Sequence, residues 1–135
     1  MSRFPTLALF DLDGTLLDSA PDMVATVNRM RGARGKRPMP LAALRPHVSR
    51  GARAMSAAAF PELGGDVPAE LIREFLDIYE SELGLHGRPF DGVPDLLDAL
   101  EAAGGRWGIV TNKPEYLARK LLPALGWESR CAVRV

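Results

Sequence analysis

This sequence predicts an α/β fold in which a parallel sheet carries an all-helical block inserted after its first strand. Three observations predict it. Two short, continuously apolar runs, residues 7–10 and 107–111, each end in a polar cluster and lead into a helical pattern, as strands covered by helices do. A third apolar run begins at Cys131, after another helix. Between the first run and the second, residues 17–86 show helical spacing and no strand pattern, so the alternation strand, helix, strand, helix resumes only after a helical detour.

Each element follows from local chemistry. Leu7-Ala8-Leu9-Phe10 is apolar at every position and stops at Asp11, which reads as a central strand covered on both faces. Ser19 can cap a helix that has Pro21 and Asp22 in its first turn and Met23, Val24, Val27 and Met30 at helical spacing, ending by Gly32 and Gly35. Pro38 and Pro40 break the chain before residues 41–48, and 51–60 reads as a short helix. Residues 71–83 place Leu71, Phe75, Leu76 and Tyr79 on one helical face. Phe90-Asp91-Gly92-Val93-Pro94 is a turn before a helix bearing Leu96, Leu97, Leu100 and Ala103, closed by Gly104-Gly105. Trp107-Gly108-Ile109-Val110-Thr111 is the second strand, and Asn112-Lys113-Pro114 opens a helix that reaches Leu125-Gly126. Trp107 and Trp127 are expected in the core, and Cys131 is expected to be a buried small hydrophobe.

The bulk numbers narrow the function classes. With 135 residues there is room for one domain or a compact core with a small module. The 17 basic and 17 acidic residues cancel, so no overall field points to nucleic acid or an anionic membrane, and any anion site must be local. A single cysteine excludes an internal disulfide framework. No signal segment or membrane span is legible, and a cytoplasmic location is the expectation. His47 and His86 have no Cys or Asp at ligand spacing and read as surface or packing residues.

The chemistry gathers where strands end. Ligands of open parallel sheets collect outside the carboxyl ends of the strands, where loops and helix N-termini converge. Asp11, Asp13, Gly14 and Thr15 follow the first strand, and Thr111 and Asn112 follow the second. Two carboxylates this close repel unless a hard cation relieves them. Mg²⁺ uses one or two protein carboxylates and completes its octahedron with water and phosphate, so the pair implies metal and phosphate together. An Asp-Gly pair after an apolar run also makes a hairpin turn, which is the plainer reading of the motif alone.

The run Phe10-Asp11-Leu12-Asp13-Gly14-Thr15-Leu16-Leu17-Asp18-Ser19, then Phe90-Asp91-Gly92-Val93, then Val110-Thr111-Asn112-Lys113-Pro114, resembles the phosphatases of the haloacid dehalogenase superfamily. Within it the likeness is to bacterial phosphoglycolate phosphatases and the related N-acetylmuramic acid 6-phosphate phosphatases, and it covers essentially the whole chain. The resemblance implies a Rossmann-like catalytic core, incomplete here, from residues 1–16 and 87–135, and a helical cap over 17–86. It implies Asp11 as the nucleophile that forms an aspartyl-phosphate, and Asp13 as general acid and base. Mg²⁺ would be held by the Asp11 carboxylate and the Asp13 carbonyl, and the phosphoryl oxygens by the Thr111 hydroxyl and the Asn112 backbone N–H. Gly14 would allow the turn out to the cap.

Caps of this family select substrates, and Ser49-Arg50-Gly51-Ala52-Arg53-Ala54-Met55 is the candidate selector. Gly51 permits close backbone approach, and Arg50 or Arg53 could hold a substrate carboxylate bidentately. The alternative is that both arginines sit on a solvated helix. The implied substrate is a small phosphorylated metabolite, 2-phosphoglycolate or N-acetylmuramic acid 6-phosphate. Lys113 is assigned a minor substrate-side role. The family's own lysine follows its third strand and its acidic pair follows the fourth; neither is in these 135 residues, and Lys120 does not fit the lysine's position. The expectation is therefore a truncated copy with little or no activity by itself and with an open apolar edge on its first strand, because the family's first strand pairs with both the second and the fourth. The competing readings are a genuine short protein that binds a partner and a non-hydrolysing phosphate-binding module. The latter would call for a Gly-rich loop where the paired acids stand.

Overall fold

The computed structural model describes residues 6–134, with side chains described through Cys131. In chain order the elements are β1 (Leu7–Phe10), β2 (Leu17–Asp18), α1 (Ala20–Gly32), α2 (Leu41–Leu44), a 3-10 segment (Arg45–Arg50), α3 (Ala52–Ala59), a second 3-10 turn (Pro61–Leu63), α4 (Ala69–Glu82), β3 (Arg88–Pro89), α5 (Val93–Ala102), β4 (Arg106–Ile109), α6 (Glu115–Leu125) and β5 (Cys131–Arg134). The chain forms two compact units, one of Met1–Asp18 with Arg88–Val135 and the other of Ser19–Gly87. Among the described residues no helix is long and apolar enough to cross a membrane.

The first unit is α/β. Its sheet has the order β1-β4-β5 with parallel pairing, Leu7 opposite Arg106 and Phe10 opposite Ile109. β4 is the central strand because its apolar run is sealed: Trp107 and Ile109 are almost completely buried. β1 lies at an edge among the described residues, as expected of a first strand without its second neighbour, and the cover on both faces that its apolar run suggested is missing: Leu7 is 46 % and Leu9 53 % exposed. An apolar pattern reports that a strand is suited to cover, not which neighbours supply it. α5 packs against β4 and buries Leu97 and Leu100, whereas Leu96 is exposed. Trp107 meets Trp127 edge to face at 5.5 Å, and its indole N–H donates to Glu101 at 2.9 Å. Arg130, just before β5, binds Glu101 and Asp98 of α5, which ties the last strand to that helix. Cys131 is half-buried rather than buried.

A two-stranded antiparallel ribbon, Leu17–Asp18 with Arg88–Pro89, also belongs to this unit. No strand was legible within 17–86, because two residues are too few to show a period.

The second unit is all-helical. α1 packs on α4 and α3, burying Met23, Val27 and Met30 against Met55, Phe75 and Tyr79. Burying each such side chain is worth about 1.5–3 kcal/mol. Phe75 and Tyr79 are sealed, with rings 5.6 Å apart, while Leu71 and Leu76 of the same expected face are half-buried. Ser19 stands at the N-cap of α1 but makes no capping bond through its side chain. Its backbone is already helical (φ −88°, ψ −1°), whereas a capping hydroxyl is normally aimed from an extended residue. Asp22 does the organising work there. It is 1 % exposed and its carboxylate accepts the backbone N–H groups of Gly84 (3.0 Å), His86 (2.7 Å) and Gly87 (3.1 Å), holding the two ends of the unit together.

Candidate functional site

The parallel pairing of β1 and β4 brings the loops that follow them to the same end of the sheet, and the ladder is extended by the Val110 N–H to the Phe10 carbonyl at 2.9 Å. After β1 the chain turns tightly: the Leu12 carbonyl accepts the N–H groups of Thr15, Leu16 and Leu17. Gly14 has φ +81°, a backbone region where a side chain is strained, so the glycine in the motif is needed for the turn. The turn separates the two acids. Asp11 is exposed, and its Oδ1 accepts the Leu12 N–H at 2.9 Å. Asp13 is 4 % exposed.

The residue that meets Asp13 is Lys113, in the loop after β4. Its Nζ lies 3.3 Å from Asp13 Oδ1, with the two side chains 2 % and 5 % exposed. Oδ1 has no hydrogen bond of good geometry, so the contact is one of charge with charge. Losing one partner of such a buried pair costs about 3–5 kcal/mol, because the other charge is left in a poor solvent. The Lys113 backbone N–H in turn donates to Thr111 Oγ1 at 3.0 Å. That bond occupies the hydroxyl as an acceptor and leaves its own proton to donate elsewhere. Thr111 is half-buried and Asn112 exposed. Lys113, assigned only a minor role from the sequence, is thus the side chain that joins the two loops. Its signal was its place directly after Thr111-Asn112, which periodicity does not weigh.

The other nominated residues lie in the helical unit. Arg50 ends the 3-10 segment, Gly51 has φ +91°, and Arg53 is in the first turn of α3; both arginines are exposed. A cavity of about 320 Å³ in that unit is bordered by Arg34, Phe60 and Glu74 and by none of the nominated residues. The His86 ring binds Glu82 at 2.7 Å. That bond first, then Arg29, holds the Glu82 carboxyl below the usual range.

For a divalent cation, the donors at the end of β1 are all oxygen: the exposed Asp11 carboxylate and main-chain carbonyls such as that of Asp13, whose own carboxylate meets Lys113 instead. They suit Mg²⁺, which asks for one or two carboxylates and fills its shell with water and phosphate. Among the described residues no group of three or more His, Cys, Asp and Glu side chains could hold a metal ion, so these acids supply only part of a shell.

The family model for haloacid dehalogenase-like hydrolases matches residues 5–133. A phosphoglycolate phosphatase of Xylella fastidiosa is 61% identical over 134 residues, 99% of this chain and 58% of that protein. An N-acetylmuramic acid 6-phosphate phosphatase of Pseudomonas aeruginosa is 49% identical over 129 residues, 94% of this chain and 57% of that protein. The chain thus spans a little under three fifths of the curated relatives it matches. In fold it is similar to a predicted phosphoglycolate phosphatase of Haemophilus somnus, with TM-score 0.77 and 23% identity over 100% of this chain and 63% of that one. A hydrolase of Pseudomonas syringae gives TM-score 0.71 and 23% identity, covering 97% of this chain and 61% of that one.

Proposed function

This chain belongs to the haloacid dehalogenase-like hydrolases, and we propose that it carries the nucleophile half of a phosphate-monoester hydrolase acting on a small phosphorylated metabolite. The observation that carries the reading is the division of labour between the two acids. Asp11 is open to an incoming phosphoryl group, while Asp13 is held nearby, buried against the loop that bears Thr111. In this scheme an Asp11 oxygen attacks phosphorus and the bond to the ester oxygen breaks. Asp13 in its protonated form gives that proton to the departing alkoxide and becomes the carboxylate that Lys113 meets, and the product is an aspartyl-phosphate on Asp11. Asp13 then takes a proton from water, the resulting hydroxide attacks phosphorus, and inorganic phosphate leaves with the Asp11 carboxylate restored. In this scheme the Thr111 hydroxyl and the Asn112 backbone N–H donate to the phosphoryl oxygens, where charge concentrates. Mg²⁺, when bound by the Asp11 carboxylate and the Asp13 carbonyl, would neutralise charge on the transferring group.

Residues 17–86 serve in this reading as the cap, with Arg50, Gly51 and Arg53 meeting the non-phosphate part of the substrate. The names of the relatives point to 2-phosphoglycolate or N-acetylmuramic acid 6-phosphate, both of which add a carboxylate that an arginine can hold. A second reading, a non-catalytic homologue that binds a partner through β1, is supported by the place of β1 at the sheet edge among the described residues and by the exposed Leu7 and Leu9 on one of its faces.

The test is a chimera that adds the remaining part of the Xylella fastidiosa relative to this chain, assayed with both substrates with and without Mg²⁺. Metal-dependent phosphate release that vanishes in Asp11→Asn is expected, and an active Asp11→Asn chimera would overturn the nucleophile assignment. Arg53→Ala should alter the ratio of activities toward the two substrates; an unchanged ratio removes Arg53 from the selector. An inactive parent chimera would favour the non-catalytic reading.

A further inference from the structure

We propose that Lys113 is a positioning residue of this site, holding the Asp13 carboxylate in place and cancelling its charge so that a phosphate group can approach the acids. The inference rests on the reading of Asp11, Asp13 and Thr111 as a phosphoryl site and adds a component that the sequence motif does not assign. The geometry makes the case. Two acids two residues apart present two negative charges at the strand end, and phosphate is an anion, so an uncompensated pair opposes its own ligand. One of the two, Asp11, is exposed and screened by water. The other, Asp13, is sealed, and its Oδ1 atom lies 3.3 Å from a Lys113 ammonium that is itself 2 % exposed. In such surroundings charges are weakly screened, so the ammonium both orients the carboxylate and removes most of its field.

The same residue positions a second group. The Lys113 amide donates to Thr111 Oγ1 at 3.0 Å, which directs the hydroxyl proton away from the peptide. One residue therefore sets the charge of the β1 loop through its side chain and the donor of the β4 loop through its backbone. Only the first of these is lost when the side chain is replaced, which makes the two separable.

The experiment titrates the 135-residue chain with inorganic phosphate while backbone amides are followed by ¹H–¹⁵N NMR. Saturable shifts at Thr111, Asn112 and Lys113 are expected, and their absence would overturn both the phosphoryl-site reading and the inference. Given those shifts, Lys113→Met should weaken phosphate binding by about tenfold or more, while Lys113→Arg, which keeps the charge, should stay within about threefold of the parent. A folded Lys113→Met protein with parental affinity overturns the role of Lys113 and leaves the site reading intact. Should Lys113→Met fail to fold, Lys113→Met with Asp13→Asn decides, since removing both charges leaves no buried carboxylate unpaired. That double variant should bind phosphate within about threefold of the parent if Lys113 acts through Asp13. A loss as large as that expected of the single variant would mean that Lys113 touches the phosphate itself, contrary to the proposal.

Discussion

Replacing Asp22 should open the helical unit at its base, and the size of the effect can be worked from three hydrogen bonds. The carboxylate takes N–H groups from Gly84 at 3.0 Å, His86 at 2.7 Å and Gly87 at 3.1 Å, two of them on Oδ1 and one on Oδ2. A hydrogen bond to a charged group is worth about 1.5–3 kcal/mol net. The three share one carboxylate and their amides are only partly buried, so the sum is not additive, and Asp22→Ala should cost about 3 kcal/mol. Part of that loss is the favourable placement of an acid in the first turn of α1, worth about 0.3–1 kcal/mol. Asp22→Asn keeps one accepting oxygen but turns an amide N–H toward a backbone N–H, and should cost about half as much. For a chain of this length about 3 kcal/mol corresponds to a fall in Tm of roughly 10 °C. Urea denaturation followed by circular dichroism reads the free energy, and amide hydrogen exchange reads the location. Exchange should accelerate at Gly84, His86 and Gly87 but not first at Leu85, whose N–H is bound by the Glu82 carbonyl. An Asp22→Ala protein within about 0.5 kcal/mol of the parent, with those three amides still protected, would refute the clamp.

Two further outcomes follow from the α/β unit. Trp107→Phe removes the indole N–H that reaches Glu101 at 2.9 Å and part of a fully buried ring that meets Trp127 edge to face; a loss of about 2 kcal/mol in urea unfolding is expected, and a neutral effect would show that the site relaxes around the smaller ring. Acid should weaken the fold through Glu101, whose carboxyl is held below its usual range by the Arg130 guanidinium first and the Trp107 N–H second. Because the folded pKa is the lower one, this contribution is present above the unfolded value of about 4.3 and is lost as pH falls through the folded pKa. Glu101→Gln should therefore lose less stability than the parent between about pH 4.5 and pH 3. The difference is small, since the Glu101 side chain is 35 % exposed, and 1 M salt should shrink it further; equal acid profiles would exclude this linkage.

The elements legible in the sequence were those whose signal is local. Trp107 to Ile109 reads as a buried strand because every residue of it is apolar, and α1 reads as a helix because Met23, Val27 and Met30 recur at its period; all five side chains that carry those patterns are sealed. The acids of the motif were visible as residue types at a strand end. What failed were inferences that needed a neighbour. Leu7 and Leu9 have the same apolar character as β4 and are exposed, because cover depends on which strands and helices arrive. Ser19 has the right side chain for a cap and the wrong backbone angles. The ribbon of Leu17–Asp18 with Arg88–Pro89 has no period to detect.

By itself the sequence determined the order of the helices and of the parallel sheet's strands, and the chemical character of their ends, because short-range sterics and burial preference act within a few residues. Only the tertiary structure decided which charges meet. Asp22 is joined to Gly84, His86 and Gly87, and Asp13 to Lys113, by contacts that exist once β1 is paired with β4 and α1 packed on α4. Coulomb and hydrogen-bond energies depend on distance in space, and distance in space between residues far apart in the chain is a property of the folded packing alone.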